Sequence, residues 1–188
     1  MDISANVPRY PGLGELVEGT RLGFFIGGKG ANQAIASAKA GVKTRLHSMV
    51  GVDSFGEQLK TQIKDYGVDV SNVKTTKTTH TGTTLIFVTD QGINTMIATF
   101  AANNYFSPND LASLKCDKRD VCVSMLEIPT ETIQAFFEKA KANGCTTILT
   151  ATCRPCPKQL LDLYDILIMN EKEFDFHSQI PNASKKQF

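Results

Sequence analysis

The residues of this chain with the most evident capacity for chemistry lie in GFFIGGKGANQA, Gly23 to Ala34. Gly23, four residues, then Gly28 and Lys29 follow the spacing of a phosphate-binding P-loop. Gly30, however, stands where that loop needs a Ser or Thr hydroxyl for a magnesium ion. Three readings stay open from these residues. The loop is a nucleotide loop lacking its metal ligand, or a glycine turn entering a helix with Lys29 solvated. In the third, Gly27, Gly28 and Gly30 let the backbone approach a polar ligand, Lys29 and Asn32 supply hydrogen bonds, and helix amides favour negative charge.

Two further groups invite the same question. Cys153-Arg154-Pro155-Cys156 is a CxxC after an apolar strand and before a short helix, the setting in which a helix N-terminus lowers the first thiol's pKa. A redox dithiol reading competes with incidental loop cysteines, and a zinc site would need two more ligands. Glu127 and the run Asn170-Glu171-Lys172-Glu173 place acids at strand ends, where a carboxylate can bind a sugar hydroxyl or a hydrated metal, or simply cap a helix. His47, His80 and His177 are scattered and form no ligand set.

The elements that must position these residues read as α/β. ELVEGTRLGFFIG supplies short extended pieces, ANQAIASAKA a helix closed by Gly41, and KTRLHSMVG a strand. Phe55, Leu59, Ile63 and Tyr66 fall at helical spacing. Residues 81–100 read as two strands turning at Asp90-Gln91-Gly92. Ser107 and Pro108 open a helix over 107–114, VCVSMLE is an apolar strand, and Ile133, Phe136, Phe137 and Ala140 mark one helix face. CTTILTA, KQLLDLYD and DILIMNE continue as strand, short helix and strand, and FDFHSQIPNASKKQF reads as an aperiodic, frayed tail. Continuous apolar strands between helices predict a parallel sheet covered by helices on both faces, with ligands beyond the strands' carboxyl ends.

The 188 residues carry a net charge of +1, with 41% hydrophobic and 21% charged residues, which fits one globular body. No sustained basic run suggests nucleic acid, and Lys185-Lys186 stand alone. No apolar run is long enough for a bilayer and no signal-peptide pattern is present, so no membrane partner is expected and a cytoplasmic location is. Five cysteines, Cys116, Cys122, Cys145, Cys153 and Cys156, read as reduced thiols rather than a disulfide framework.

GGKGANQA at 27–34, GVDSFG at 51–56, TGTTLIFV at 81–88, AANN at 101–104 followed by Ser-Pro, MLE at 125–127 and NEKE at 170–173 occur together in the order and approximate spacing of one family. The chain resembles the ribokinase-like sugar kinases from residue 2 to about residue 173. The resemblance implies a doubly wound α/β fold with a small β-sheet lid, its elements at about 2–26 and 81–100, within one partial domain over 1–188. It also implies ATP-dependent phosphorylation of the 5-hydroxyl of ribose or a similar pentose. By matching positions, Asp2, Gly28, Lys29, Asn32 and Glu127 would hold the sugar, and Asn170 and Glu173 would lie on the ATP and Mg2+ side, with Glu173 toward the metal. K+ is a further family ion, and the lid a possible homodimer contact.

The sequence departs from the family at three places. The family's Gly-Ser-x-Asn strand before the equivalent of Asp2 is not in these residues, so the first core strand is expected to be missing. The usual Asn-Pro-Ala-Pro is replaced by Thr150-Ala151-Thr152-Cys153. The Gly-Ala-Gly-Asp segment, which carries the anion hole and the catalytic base, is also not found, with the rest of the C-terminal half. The expectation is therefore a polypeptide that is not a competent kinase alone, with a sugar-binding or lid-dimerising fragment as the alternative and a CxxC redox protein behind it.

Overall fold

The computed structural model describes residues 1–178; residues 179–188, with most of the tail expected to fray, lie outside the described part. The chain forms two compact units, residues 1–103 and the residues from 104 on.

The first unit contains β1 (Asp2–Val7), β2 (Arg21–Phe25), α1 (Lys29–Lys39), β3 (Arg45–Gly51), α2 (Ser54–Asp65), β4 (Asp69–Thr76), β5 (Thr83–Thr89) and β6 (Asn94–Thr99). Its larger sheet has the order β2-β1-β5-β6. β1 runs antiparallel to β2 and parallel to β5, and β5 runs antiparallel to β6. The early extended segment and the 81–100 hairpin thus build one sheet. Gly92, at φ +76°, takes the left-handed conformation that the hairpin turn requires. β3 and β4 form a separate parallel pair.

Between these strands α2 buries Leu59 and Ile63, one helical turn apart, against Met1, Ala34 and Val68. Tyr66, expected on the same face, is instead exposed, with the Lys39 ammonium 4.5 Å from its ring centre.

The second unit contains β7 (Val121–Met125), α3 (Thr130–Ala142), β8 (Thr146–Thr150), β9 (Ile166–Ile168) and α4 (Glu171–Ser178). The three strands are parallel in the order β7-β8-β9. α3 buries Ile133, Phe137 and Ala140, while Phe136 is only half-buried. The α/β character with parallel strands and covering helices is as expected, but among the described residues the parallel pairings divide among three sheets.

Three local expectations need correction. The helix over 107–114 is a single 3-10 turn, Pro108–Leu111. Asp110 accepts from the Ser107 amide and hydroxyl at 2.8 and 2.7 Å and closes the turn on itself. The helix over KQLLDLYD is likewise a three-residue 3-10 turn, Lys158–Leu160. Thr147 draws the following chain into the sheet: its hydroxyl donates to Leu163 O at 2.8 Å and its amide to Asp165 at 2.8 Å. Finally, residues 174–178 belong to α4 rather than to an aperiodic tail, because Asn170 and Glu173 cap that helix from both sides.

One carboxylate organises the first unit. Asp53 is the N-cap of α2 and accepts from the Gly56 amide at 2.8 Å. It also accepts from the Thr81 amide and hydroxyl, each at 2.7 Å, just ahead of β5. The Thr81 hydroxyl in turn accepts from the Gly51 amide at 3.0 Å. The two glycines of GVDSFG are fixed by the same packing. A Cβ on Gly51 would strike the Asp53 carboxylate, and one on Gly56 the Gly51 carbonyl.

Burial pulls the Asp53 carboxyl upward, but the hydrogen bonds from Thr81 and Gly56 outweigh it and hold the group below the ordinary aspartate value. A carboxyl depressed in the folded state contributes stability above its unfolded pKa and loses it as pH falls through the folded one. Asp53→Ala is therefore expected to lower unfolding free energy by about 1–2 kcal/mol. The deficit should be flat above about pH 5 and shrink in acid as the wild-type carboxyl protonates. Urea unfolding from pH 7 to pH 3 checks this, and a deficit growing toward low pH would refute it.

Candidate functional site

In the first unit the glycine loop meets the start of β1. Asp2 pairs with Phe25 across β1 and β2, so the chain leaving β2 turns back past Asp2 within two residues. A Cβ on Gly27 would fall inside the Asp2 carboxylate, so only glycine permits this approach. Gly28 follows at φ +92°, the left-handed region that glycine favours, and serves as the N-cap of α1 without a side-chain hydrogen bond. The first turn of α1 carries no acidic residue. Its amides and dipole are therefore without competition from a side-chain cap, the arrangement that suits an anionic or hydroxyl-rich group.

Lys29 is half-buried at the first position of α1 and Asn32 is exposed one turn on, its amide donating to Gly28 O at 3.0 Å. Asp2, Gly28, Lys29 and Asn32 thus lie at one helix end. An open cleft of about 370 Å³ elsewhere in the unit is lined by Asp53, Thr76, Lys77, Thr79 and His80 and contains none of these four residues.

In the second unit the sheet register aligns Met125, Thr150 and Ile168 as neighbours. Two residues beyond each lie Glu127, Thr152 and Asn170. The parallel register therefore collects three polar side chains at one carboxyl end of the sheet, with Thr152 in the middle. Thr152 is the residue that sequence reasoning missed. Its hydroxyl is buried and has no hydrogen-bond partner among the described residues, while its carbonyl accepts from His177 Nε2 at 3.0 Å. Its position two residues past an apolar strand is the signal that the sequence carries for it.

Asn170 and Glu173 hold one another. The Glu173 amide donates to Asn170 Oδ1 at 2.8 Å, and the Asn170 amide donates to Glu173 Oε2 at 3.0 Å. This is a reciprocal cap, and it leaves Glu173 only 6% exposed at the start of α4. The capping alternative for these acids is thus realised in the geometry.

The CxxC is not set up for redox chemistry. The element directly after it is the three-residue 3-10 turn rather than an α-helix, so no helix dipole begins there to lower a thiol pKa. Cys153 is exposed, and burial pushes the Cys156 thiol up to about 11, opposite to the shift a reactive thiol needs.

Residues 1–187 match the model of the pfkB family carbohydrate kinases. The ribokinase of Staphylococcus aureus is 36% identical over 185 residues, covering 96% of this chain. The deoxyribokinase of Salmonella typhi is 28% identical over 187 residues. The chain spans 60% of the length of both relatives. The crystal structure of Arabidopsis thaliana ribokinase complexed with ribose and ATP superposes with a TM-score of 0.82 at 26% identity, over 99% of this chain and 62% of that one.

The reciprocal cap carries its own test. Glu173→Ala should cost about 1 kcal/mol of stability, whereas Glu173→Gln, which keeps an acceptor at the third helical position, should stay near wild type. Thermal melts of the two variants separate capping from a purely electrostatic role, which Gln would not rescue.

Proposed function

Because the chain belongs to the pfkB family of carbohydrate kinases, we propose that its glycine loop and the start of β1 form the acceptor half of a pentose-kinase site, with ribose as the sugar. The observation that carries this reading is the Asp2 carboxylate seated over Gly27 at the uncapped end of α1. A carboxylate accepts two hydroxyl protons and a lysine donates to a hydroxyl oxygen, which is the donor and acceptor mixture a polyol needs. Asp2, Gly28, Lys29 and Asn32 take this role, and within the second unit Glu127 is proposed as a hydroxyl acceptor in its own right.

Asn170 and Glu173 are proposed for the side of ATP and its divalent ion. A single carboxylate held at a helix start suits Mg2+, which keeps several waters and relies on few protein oxygens. Such an ion, when bound, neutralises charge on the phosphates. The chain's own contribution is to keep that carboxylate fixed through the Asn170 cap. The sheet β2-β1-β5-β6 is proposed as the lid that excludes water from the sugar.

A second reading, association of two chains through that sheet, rests on one observation. Strand alternation puts Leu22, Phe24, Leu85 and Ile97 on one face, and they are 63%, 50%, 40% and 60% exposed. Sedimentation of the wild type against Ile97→Lys tests it, a monomeric wild type being the outcome that removes it.

The 188-residue polypeptide should bind ribose without turning it over, since the Gly-Ala-Gly-Asp segment does not occur in its sequence. Calorimetry should show saturable ribose binding weakened about tenfold or more by Asp2→Asn, as expected for losing a charged hydrogen-bond partner. Gly27→Ala should abolish it while leaving the circular dichroism intact. ATP, Mg2+, K+ and ribose should give no phosphorylation above a Lys29→Ala control; turnover above that control would refute the inactive reading, and absence of ribose binding by the wild-type chain would refute the acceptor reading.

A further inference from the structure

The second unit holds a group of side chains that the kinase reading does not use. Cys116, from the loop before β7, Cys122, in β7, and Cys145, just ahead of β8, bring their three sulfurs within 4.8 Å of one another. Cys122 and Cys145 are buried, Cys116 is half-buried, and Ala140 and Phe136 pack around them. The surrounding backbone is pinned. The Cys145 amide donates to Ala140 O at 3.0 Å, the Thr146 amide to Asp120 O at 3.2 Å, and the Cys145 thiol to Asp117 O at 3.1 Å. The group lies at the amino ends of β7 and β8, the opposite end of the sheet from Glu127 and Thr152.

We propose that Cys116, Cys122 and Cys145 form a three-thiol site for a trivalent thiophilic centre of the arsenous acid class. Geometry and charge select that class. Bonds to sulfur of about 2.3 Å at a pyramidal trivalent centre space three sulfurs roughly 3.5 Å apart, within a side-chain adjustment of the observed cluster. A structural zinc site takes four ligands, and this group contains neither a histidine nor a carboxylate.

The apolar setting decides between charge types. A monovalent or divalent cation on three thiolates leaves net negative charge in a buried, weakly polar place, and its binding must expel protons from thiols that burial makes reluctant to lose them. Arsenous acid, As(OH)3, instead condenses with three neutral thiols. Each condensation breaks one As–O and one S–H bond, forms one As–S bond and releases one water. Three condensations give an uncharged As(SR)3 and three waters, with no oxidation-state change and no net proton release. The neutral thiols of this pocket are therefore suited to the reaction rather than an obstacle to it.

Intact-protein mass spectrometry of the chain incubated with arsenite, with a phosphine as the only reductant, tests the site. One arsenic per chain with a loss of three hydrogens is expected, accompanied by a rise in melting temperature, because the ligand binds the assembled cluster. Cys153→Ser with Cys156→Ser, both outside the cluster, should retain the adduct unchanged. Cys116→Ser should give a two-sulfur adduct that keeps one hydroxyl and is released by a monothiol competitor on the order of a hundredfold faster. No uptake, a wild-type adduct that has lost only two hydrogens, or an adduct that disappears with the Cys153 and Cys156 replacements would overturn the proposal. The wild type and the Cys153/Cys156 variant decide the matter even if Cys116→Ser fails to fold.

Discussion

The first unit depends on one carboxylate with two obligations. Asp53 terminates α2, and the same oxygens anchor Thr81 at the entrance to β5. β5 is the inner strand that joins the hairpin to β1, so an interaction local to a helix end sets where the four-stranded sheet attaches. The alternative, a water-solvated helix start, would leave Thr81 and the Gly51 amide to find other partners in a tightly packed corner. That corner is tight because Gly51 and Gly56 leave no room for side chains. Each hydrogen bond is modest, but removing their shared acceptor would strand several donors at once.

The second unit uses the same device differently. Thr147 in the middle strand ties down Leu163 and Asp165, and Asp165 also meets Lys141 from α3. Strand β9 is only three residues long and contributes little ladder of its own. Its register, and hence the alignment of Asn170 with Thr152 and Glu127, leans on these side-chain bonds beside the strand. Polar groups placed away from the site thus determine which polar groups arrive at it.

Long periodic elements were legible in the sequence because their signals are local: α2 and α3 from apolar spacing, the hairpin from Asp90-Gln91-Gly92, β7 and β8 from unbroken apolar runs. Segments 107–114 and 158–165 read as helices because their composition is helical, while side-chain bonds from Asp110 and Thr147 that stop them are not visible in composition. The glycine loop was legible as a close backbone approach, yet the reason Gly27 must be glycine is the Asp2 carboxylate, a contact across strands that spacing cannot reveal. The three clustered cysteines are the same kind of case. They lie 6 and 23 residues apart in sequence, a spacing with no motif, and only the pairing of β7 with β8 assembles them.

Asp2 is a member of β1, and β1 is hydrogen-bonded on one side to β2 and on the other to β5. The residue that presses on the glycine loop is therefore carried by the sheet rather than by the helical layer beneath it. The loop leaves the sheet by β2 and meets the carboxylate of β1, so the two sides of this contact hang from neighbouring strands, while the hairpin tip near Gly92 lies at the far end of β5 and β6.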